Sequence, residues 1–408
     1  MFRVPFSSLK YSIVSLLSLA LLGSCQKARP EGNAAPVLAK ALAPEAPSFP
    51  VPAWFTADSA RSFRQSLDSV FTYMHKHRGF NGTVLVSKFD KVQYKGSFGY
   101  ADFRTKDTLN THTAFQLASV SKQFTAMAIM MLQEEGKLQY DDSVQQYIPD
   151  FPYHGITIRQ LLTHRSGLSN YTYFSDELWP DRNKPIYNDD VLQLMAVHKP
   201  QVYYPPNNRF DYSNTGYFLL ASIAERASGM PFSQLLQQRI FKPLHMGDTF
   251  TFSDSLAARK DKVATGHTGG RRQRHPDYLD TVLGDKGMYS SVEDLYKWDQ
   301  ALYTEKLVKH ETLQEAFTGT RQKRMRDVDY GFGWRIKQVA NGDTVVFHAG
   351  LWHGYATYIL RNPNDHSALI LLSNVPNGSY RYLDELEAFL YPEKPAEPQP
   401  VVASSATK

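Results

Sequence analysis

Cysteine is all but missing: of 408 residues only Cys25 carries a thiol. One sulfur can form neither an intrachain disulfide nor a thiolate metal cluster. Neither sign of charge dominates, with 45 Lys and Arg against 40 Asp and Glu. The densest basic runs, Arg271-Arg272-Gln273-Arg274 and Arg321 to Arg326, lack aromatic interleaving and any nucleic-acid motif. They read as solvated loop charge, and no nucleic-acid partner is expected. Repeats at solenoid or propeller periods are also lacking. So are G-x-S-x-G, a P-loop and a dinucleotide fingerprint, which argues against a hydrolase elbow and nucleotide chemistry. His75 and His77 have neither an H-E-x-x-H context nor a third ligand, so they read as surface histidines.

What is present suits a large folded unit. Apolar residues make up 42% of the chain and aromatics 13%, too many for a disordered chain and enough for a sizeable core. At the N-terminus, Arg3 and Lys10 precede the apolar stretch Tyr11 to Leu22, which is too short to span a bilayer as a mature helix. Leu22-Gly23-Ser24-Cys25 resembles a bacterial lipobox, so residues 1–24 are expected to be a lipoprotein signal peptide and Cys25 the lipid attachment. The expected location is outside the cytoplasm, tethered to a membrane and facing the periplasm or cell surface. Residues 25–58, rich in Ala and Pro, suit a flexible tether. A folded domain is expected over 59–391, and a disordered Pro-rich tail over 392–408.

Within the domain, Ser62 to His77 reads as a helix. Gly82 to Ser87 and Val92 to Gly96 read as a hairpin turning at Phe89-Asp90-Lys91. Ser119 to Glu135 is apolar nearly all round and predicts one buried helix, stopped by Gly136. Residues 140 to 320 look mostly helical with long loops. Thr344 to Phe347, Gly354 to Leu360 and Ala368 to Leu372 predict three strands, and Leu383 to Leu390 a closing helix. Strands at both ends predict an α/β (α+β) fold: one antiparallel sheet built from N- and C-terminal segments, flanked by helices, with a helical subdomain inserted.

Three short patterns carry chemistry. Ser119-Val120-Ser121-Lys122 sets a hydroxyl and an amine three residues apart on one helical face. A lysine has a reference pKa of about 10.4, and burial among apolar neighbours is what makes an amine a usable base. The same spacing recurs at Ser7/Lys10, Ser24/Lys27 and Ser405/Lys408, but no core surrounds those. Tyr212-Ser213-Asn214 offers a phenol to relay a proton and a carboxamide to hold a substrate amide; taken alone, it reads rather as a cap of the helix that follows. His348-Ala349-Gly350 ends a strand, where glycine lets a substrate approach the edge. The rival His267-Thr268-Gly269 has no strand before it and reads as loop.

In this order the three patterns resemble the serine β-lactamase and penicillin-binding protein superfamily, most closely its class C β-lactamase-like branch. The flanking text is similar too: Phe115 to Lys122, Leu161 to Leu168, Tyr212 to Tyr217, Gly287 to Ser291 and Leu371 to Asn374. The resemblance covers about residues 60 to 390 and implies a β-lactamase/transpeptidase-like fold. It implies that Ser119 is the nucleophile, Lys122 its activating partner and Tyr212 the proton relay. Asn214 would hold the substrate amide, His348 and Gly350 would line the strand edge, and the N–H groups of Ser119 and Leu351 would form the oxyanion hole. The implied chemistry passes through an acyl-enzyme and needs no metal or organic cofactor.

The β-lactamases of this branch usually carry lysine where His348 stands. Histidine is more usual in DD-peptidases and D-aminopeptidases, so D-amino-acid peptide cleavage is expected, with a carboxylesterase or weak β-lactamase as the alternative. A histidine there is also expected to make recognition of a substrate carboxylate pH-dependent. A binding or regulatory protein that keeps the fold without turnover is the alternative of another class. The expected partners are a small-molecule or peptide substrate and, through the anchor, a membrane; a monomer is the expected state. Ser290-x-x-Glu293 reads as a capping box. His164 and Arg165 read as braces of the loop beside the site, and Tyr171 to Ile186 and Gly266 to Leu283 as loops that shape the cleft.

Overall fold

The computed structural model describes residues 49–252, 262–320, 328–376 and 382–393. The expected signal segment with Cys25, the expected tether as far as residue 48, Arg321 to Arg326 and the expected tail from residue 394 lie outside the described residues.

Helix α1 (Ala57–Arg78) begins at Thr56, whose hydroxyl accepts from the Ser59 N–H at 3.2 Å. Ala57 and Asp58, expected to be part of a tether, open this helix. Phe49, Trp54 and Phe55 already pack on Phe89, with ring centroids 5.8, 5.9 and 5.2 Å from it. Strands β1 (Gly82–Lys88) and β2 (Lys91–Phe98) form the expected hairpin. Its turn residues Phe89 and Asp90 both take positive φ, 54° and 57°, as a two-residue type I′ turn requires. Then come β3 (Tyr100–Asp102), β4 (Asp107–Thr108), β5 (Phe115–Gln116) and α2 (Lys122–Glu134). The helical insert follows as α3 (Ile158–Leu162), α4 (Tyr171–Leu178), α5 (Asn188–His198), α6 (Asn214–Ser228) and α7 (Phe232–Leu236). Strands β6 (Phe250–Thr251) and β7 (Met288–Ser290) lead to α8 (Val292–Ala301) and α9 (His310–Ala316). The chain closes with β8 (Val328–Tyr330), β9 (Arg335–Gln338), β10 (Thr344–Trp352), β11 (Tyr355–Asn362), β12 (Ser367–Ser373) and α10 (Leu383–Leu390).

The main sheet runs β2-β1-β12-β11-β10-β9-β8, antiparallel throughout, so strands from both ends of the chain interleave. Gly82 sits opposite Ser373 and Ser87 opposite Ala368, which fixes the register across that junction. Strands β1, β11 and β12 are buried on both faces and so read as continuous apolar runs. Val84, Val86, Leu360, Leu369 and Leu371 meet Phe71 and Met74 of α1 and Leu386 of α10. The alternate residues Leu85, Ile359 and Ile370 join the larger core with Phe124 and Trp298. Arg361 of β11 is buried with Asp299 of α8, Nε to Oδ1 2.8 Å, a pair that ties sheet to helix and is costly to break from one side.

Three local readings are corrected. Strand β10 does not end at Phe347 but continues through His348 to Trp352. Strands β6 and β7 fall inside the region read as helical and join β5 in a small sheet. The cap of α8 is Ser291, whose hydroxyl accepts from the Asp294 N–H at 3.2 Å. Ser290 is held in β7 against Thr249, and Glu293 instead pairs with Lys95.

Candidate active site

The chain enters the site clamped. The Leu117 N–H donates to the Met288 carbonyl at 2.7 Å, and the Thr357 hydroxyl donates to the Leu117 carbonyl at 2.7 Å. Ala118 then takes φ +49°, a left-handed conformation that costs a residue with a β-carbon about 1–3 kcal/mol. Ala118–Ser121 form a single 3₁₀ turn, and α2 starts only at Lys122. The one helix expected from Ser119 to Glu135 is thus two pieces. The difference serves the site, because residues three apart eclipse on a 3₁₀ turn. Lys122 Nζ accordingly donates to Ser119 Oγ at 3.2 Å.

Lys122 is fully buried and its amine donates to two further acceptors, Asn214 Oδ1 at 2.8 Å and the Asp285 carbonyl at 2.9 Å. The rings of Tyr212 and Tyr217 lie 5.1 and 5.4 Å from it. Of its three acceptors only the Ser119 hydroxyl has a proton to give. Gly284, with φ +114°, turns the loop toward Asp285, and a Cβ there would meet the Tyr217 carbonyl at 2.3 Å. Asn214 opens α6, while Ser213 occupies the cap position without a side-chain cap bond, so neither Tyr212 nor Asn214 is a cap. Thr215 pins this helix start by donating to the Ser169 carbonyl at 2.6 Å.

Tyr212 rests against His164, ring centroids 4.2 Å apart. His164 is buried at φ +55°, and its Nδ1 accepts from the Ser213 N–H at 3.3 Å. Burial, then the charges of Lys122, His348 and Arg335, hold its imidazole well below the usual histidine range. A neutral ring that braces Tyr212 fits the role expected of it. Arg165 braces the same loop, donating from Nε to Asn207 Oδ1 at 2.8 Å.

His348 requires a correction. Its ring is buried, with Nδ1 2.8 Å from the Ala349 carbonyl and Nε2 3.0 Å from the Tyr330 hydroxyl. The carbonyl can only accept, so Nδ1 carries the ring proton of the neutral imidazole, and Nε2 accepts from the Tyr330 hydroxyl. Burial first, then the charges of Lys122 and Arg335, push His348 well below the usual histidine range. It therefore presents no titrating cation to a substrate carboxylate. The cation beside it is Arg335, half-buried on β9, with its guanidinium 5.4 Å from the Tyr212 ring. Among the described residues no carboxylate lies within ion-pair distance of Arg335. The sequence reading missed this residue; its signal was the run Gly331-Phe332-Gly333-Trp334, followed by the short strand pattern Arg335-Ile336-Lys337.

Strand β9 pairs with β10 only from Thr344 to Phe347. Beyond it β10 packs against the serine turn. A Cβ on Gly350 would meet the Leu117 carbonyl at 2.3 Å and Ala118 Cβ at 3.0 Å, so the close approach requires glycine. Next to it the Leu351 side chain is 61% exposed, leaving the strand end open to solvent where the second oxyanion donor is expected.

The Beta-lactamase family model matches residues 67–391, and the chain belongs to that family. It is 37% identical over 324 residues to penicillin-binding protein 4* of Bacillus subtilis, covering 76% of this chain and 72% of the relative. A putative penicillin-binding protein of the same bacterium is 30% identical over 307 residues, covering 74% and 73%. Among solved structures, the octameric penicillin-binding protein homologue from Pyrococcus abyssi superposes with a TM-score of 0.71 at 26% identity, covering 81% and 78%. A penicillin-binding protein from Bacillus halodurans does so with a TM-score of 0.69 at 28% identity, covering 78% and 98%. The family consists in general of serine hydrolases, and the mixed fold with its antiparallel sheet is that of these proteins.

Proposed function

We propose that this protein is an exported serine hydrolase with a DD-carboxypeptidase-like activity on peptidoglycan-type peptides, working through an acyl-enzyme on Ser119. The observation that carries the reading is the surrounding of Lys122, whose amine meets three acceptors, of which only the Ser119 hydroxyl has a proton to exchange. Lys122 takes that proton as Ser119 Oγ attacks the carbonyl carbon, Tyr212 relays a proton to the departing amine nitrogen, and water repeats the attack on the ester. Asn214 holds the substrate amide, and the N–H groups of Ser119 and Leu351 bind the oxyanion beside Gly350. Arg335, rather than His348, reads the terminal carboxylate, and His348 acts by holding Tyr330. The short apolar stretch and lipobox-like Leu22 to Cys25 support export and a lipid anchor on Cys25.

The test is a blocked peptide ending in two D-alanines, compared with its C-terminal amide. Wild type should release D-alanine from the acid and leave the amide nearly untouched. Arg335→Met should lower kcat/KM for the acid by about 10- to 100-fold, mainly through KM, and leave the amide rate unchanged. Equal wild-type rates on acid and amide would contradict the carboxypeptidase reading.

A further inference from the structure

The loop that brings the Asp285 carbonyl to Lys122 carries a second buried lysine that the reaction does not use. Asp285 and Lys286 are 2% and 3% exposed, and Tyr171 at the start of α4 is fully buried. The Tyr171 hydroxyl lies 3.1 and 3.2 Å from the two carboxylate oxygens of Asp285 and accepts from Lys286 Nζ. That amine also stands 3.5 Å from Asp285 Oδ2 and 4.9 Å from the Trp352 ring. The Trp352 indole N–H donates to Asp280 Oδ1, which also accepts from Gln116 Nε2 at 3.3 Å. The Lys122 amine is thus joined through the Asp285 backbone to Tyr171 and Lys286, and Lys286 lies against Trp352 of β10, whose partner Asp280 also holds Gln116 of β5.

Burying two ions is expensive unless each is matched, so the pair needs a reason. Burial, joined by the Asp285 carboxylate, pushes the Tyr171 phenol well above its ordinary range, which keeps it a proton donor to Asp285. Burial lowers the Lys286 amine from its ordinary value, with Asp285 and Asp280 opposing that and Lys122 adding to it. The groups facing Lys286 are therefore Asp285 on its own loop, Asp280 from the preceding turn, Tyr171 from α4 and Lys122 from α2. Trp352 of β10 does not titrate.

We propose that Asp285 and Lys286 are a charge-balancing pair of positioning residues. They hold the Asp285 carbonyl on Lys122 and set how readily that amine takes the Ser119 proton. The inference rests on reading Ser119 and Lys122 as the acylating pair. An ammonium nearby disfavours a second one, so Lys286 keeps Lys122 ready to act as a base, while Asp285 limits the effect. Lys286→Met leaves a buried carboxylate that favours a protonated neighbour. Asp285→Asn leaves the cation opposed by Asp280 alone and keeps the backbone carbonyl.

The experiment measures the rate of Ser119 acylation by a penicillin, and of Ser119 phosphonylation by a fluorophosphonate, from pH 5 to 10, with adducts counted by intact mass. In Lys286→Met the acid limb should move up by about 1 pH unit, with the rate at pH 7 falling about tenfold. In Asp285→Asn it should move down, and in the double variant it should return to the wild-type position. Lys286→Arg, which keeps the charge, should keep the limb even if its rate falls. Limbs that stay in place in all variants, with the double variant slowest, would mean a purely structural pair and overturn the proposal. If neither probe modifies wild-type Ser119, the reading of the nucleophile fails instead, and the proposal falls with it.

Discussion

The two flanks of Ser119 are built by different means. On one, α2, the start of α6 and the loop at Asp285 converge on Lys122 through three hydrogen bonds. On the other, β8, β9 and β10 gather Tyr330, Arg335 and His348, and there burial decides which group faces the cleft. His348 is the residue that its pattern marks as functional, yet its ring is sealed against Tyr330 while Arg335 has no carboxylate partner among the described residues. Spacing along the chain says which residues meet. It does not say which of them keeps contact with solvent, because that depends on strands contributed from elsewhere.

Substitutions on the two flanks should have unequal effects. Lys122→Met keeps the stem and removes the amine; acylation of Ser119 should fall by about 10⁴-fold or more, measured by adduct formation over time. A loss below tenfold would mean that the first flank is not the activating one. Gly350→Ala places a methyl group against the Leu117 carbonyl and pushes β10 away from the serine turn. Turnover should drop by about 100-fold while the circular dichroism spectrum stays native, since a displacement of about 1 Å is enough for such a loss. Retained turnover would show that the close approach is incidental.

The smallest effect concerns stability. His348 and His164 both have folded-state values below the unfolded reference of about 6.5, so below that pH the unfolded chain binds protons that the folded chain refuses. Their contribution to stability is fully present above pH 6.5 and is lost as pH falls below it. Each histidine should add about 1.4 kcal/mol of lost stability per pH unit in that window. Denaturant unfolding of wild type and His348→Gln at pH 7.5, 6 and 5 checks this: the variant should lose stability less steeply. Parallel slopes would place the His348 ring in solvent.

Much of the scaffold was legible because long elements advertise themselves. Leu383 to Leu390 forms the closing helix with the bounds its pattern suggested, and the hairpin turns at Phe89-Asp90. Elements of two to four residues were not legible. Strands β5, β7 and β9 are too short to show alternation, and they are what clamp Leu117 and carry Arg335. The break between the serine turn and α2 was hidden by residues apolar enough for one continuous helix; it is imposed by the left-handed Ala118 and by Gly350 pressing on Leu117. The spacing to Glu293 marked Ser290 as a cap, and only its pairing with Phe115 of β5 shows that it belongs to a strand. At the site, the partners of Ser119 were readable as motifs. Asp285, Lys286 and Tyr171 were not, because a buried ion pair leaves no periodic trace.

Ser119, activated by Lys122, is expected to form an acyl-enzyme. The most direct measurement incubates the domain from residue 49 onward with a penicillin, quenches in acid and weighs the intact protein, with Ser119→Ala alongside. The account predicts a mass increase equal to one antibiotic on wild type and none on the variant. An adduct on both proteins would contradict the assignment of Ser119.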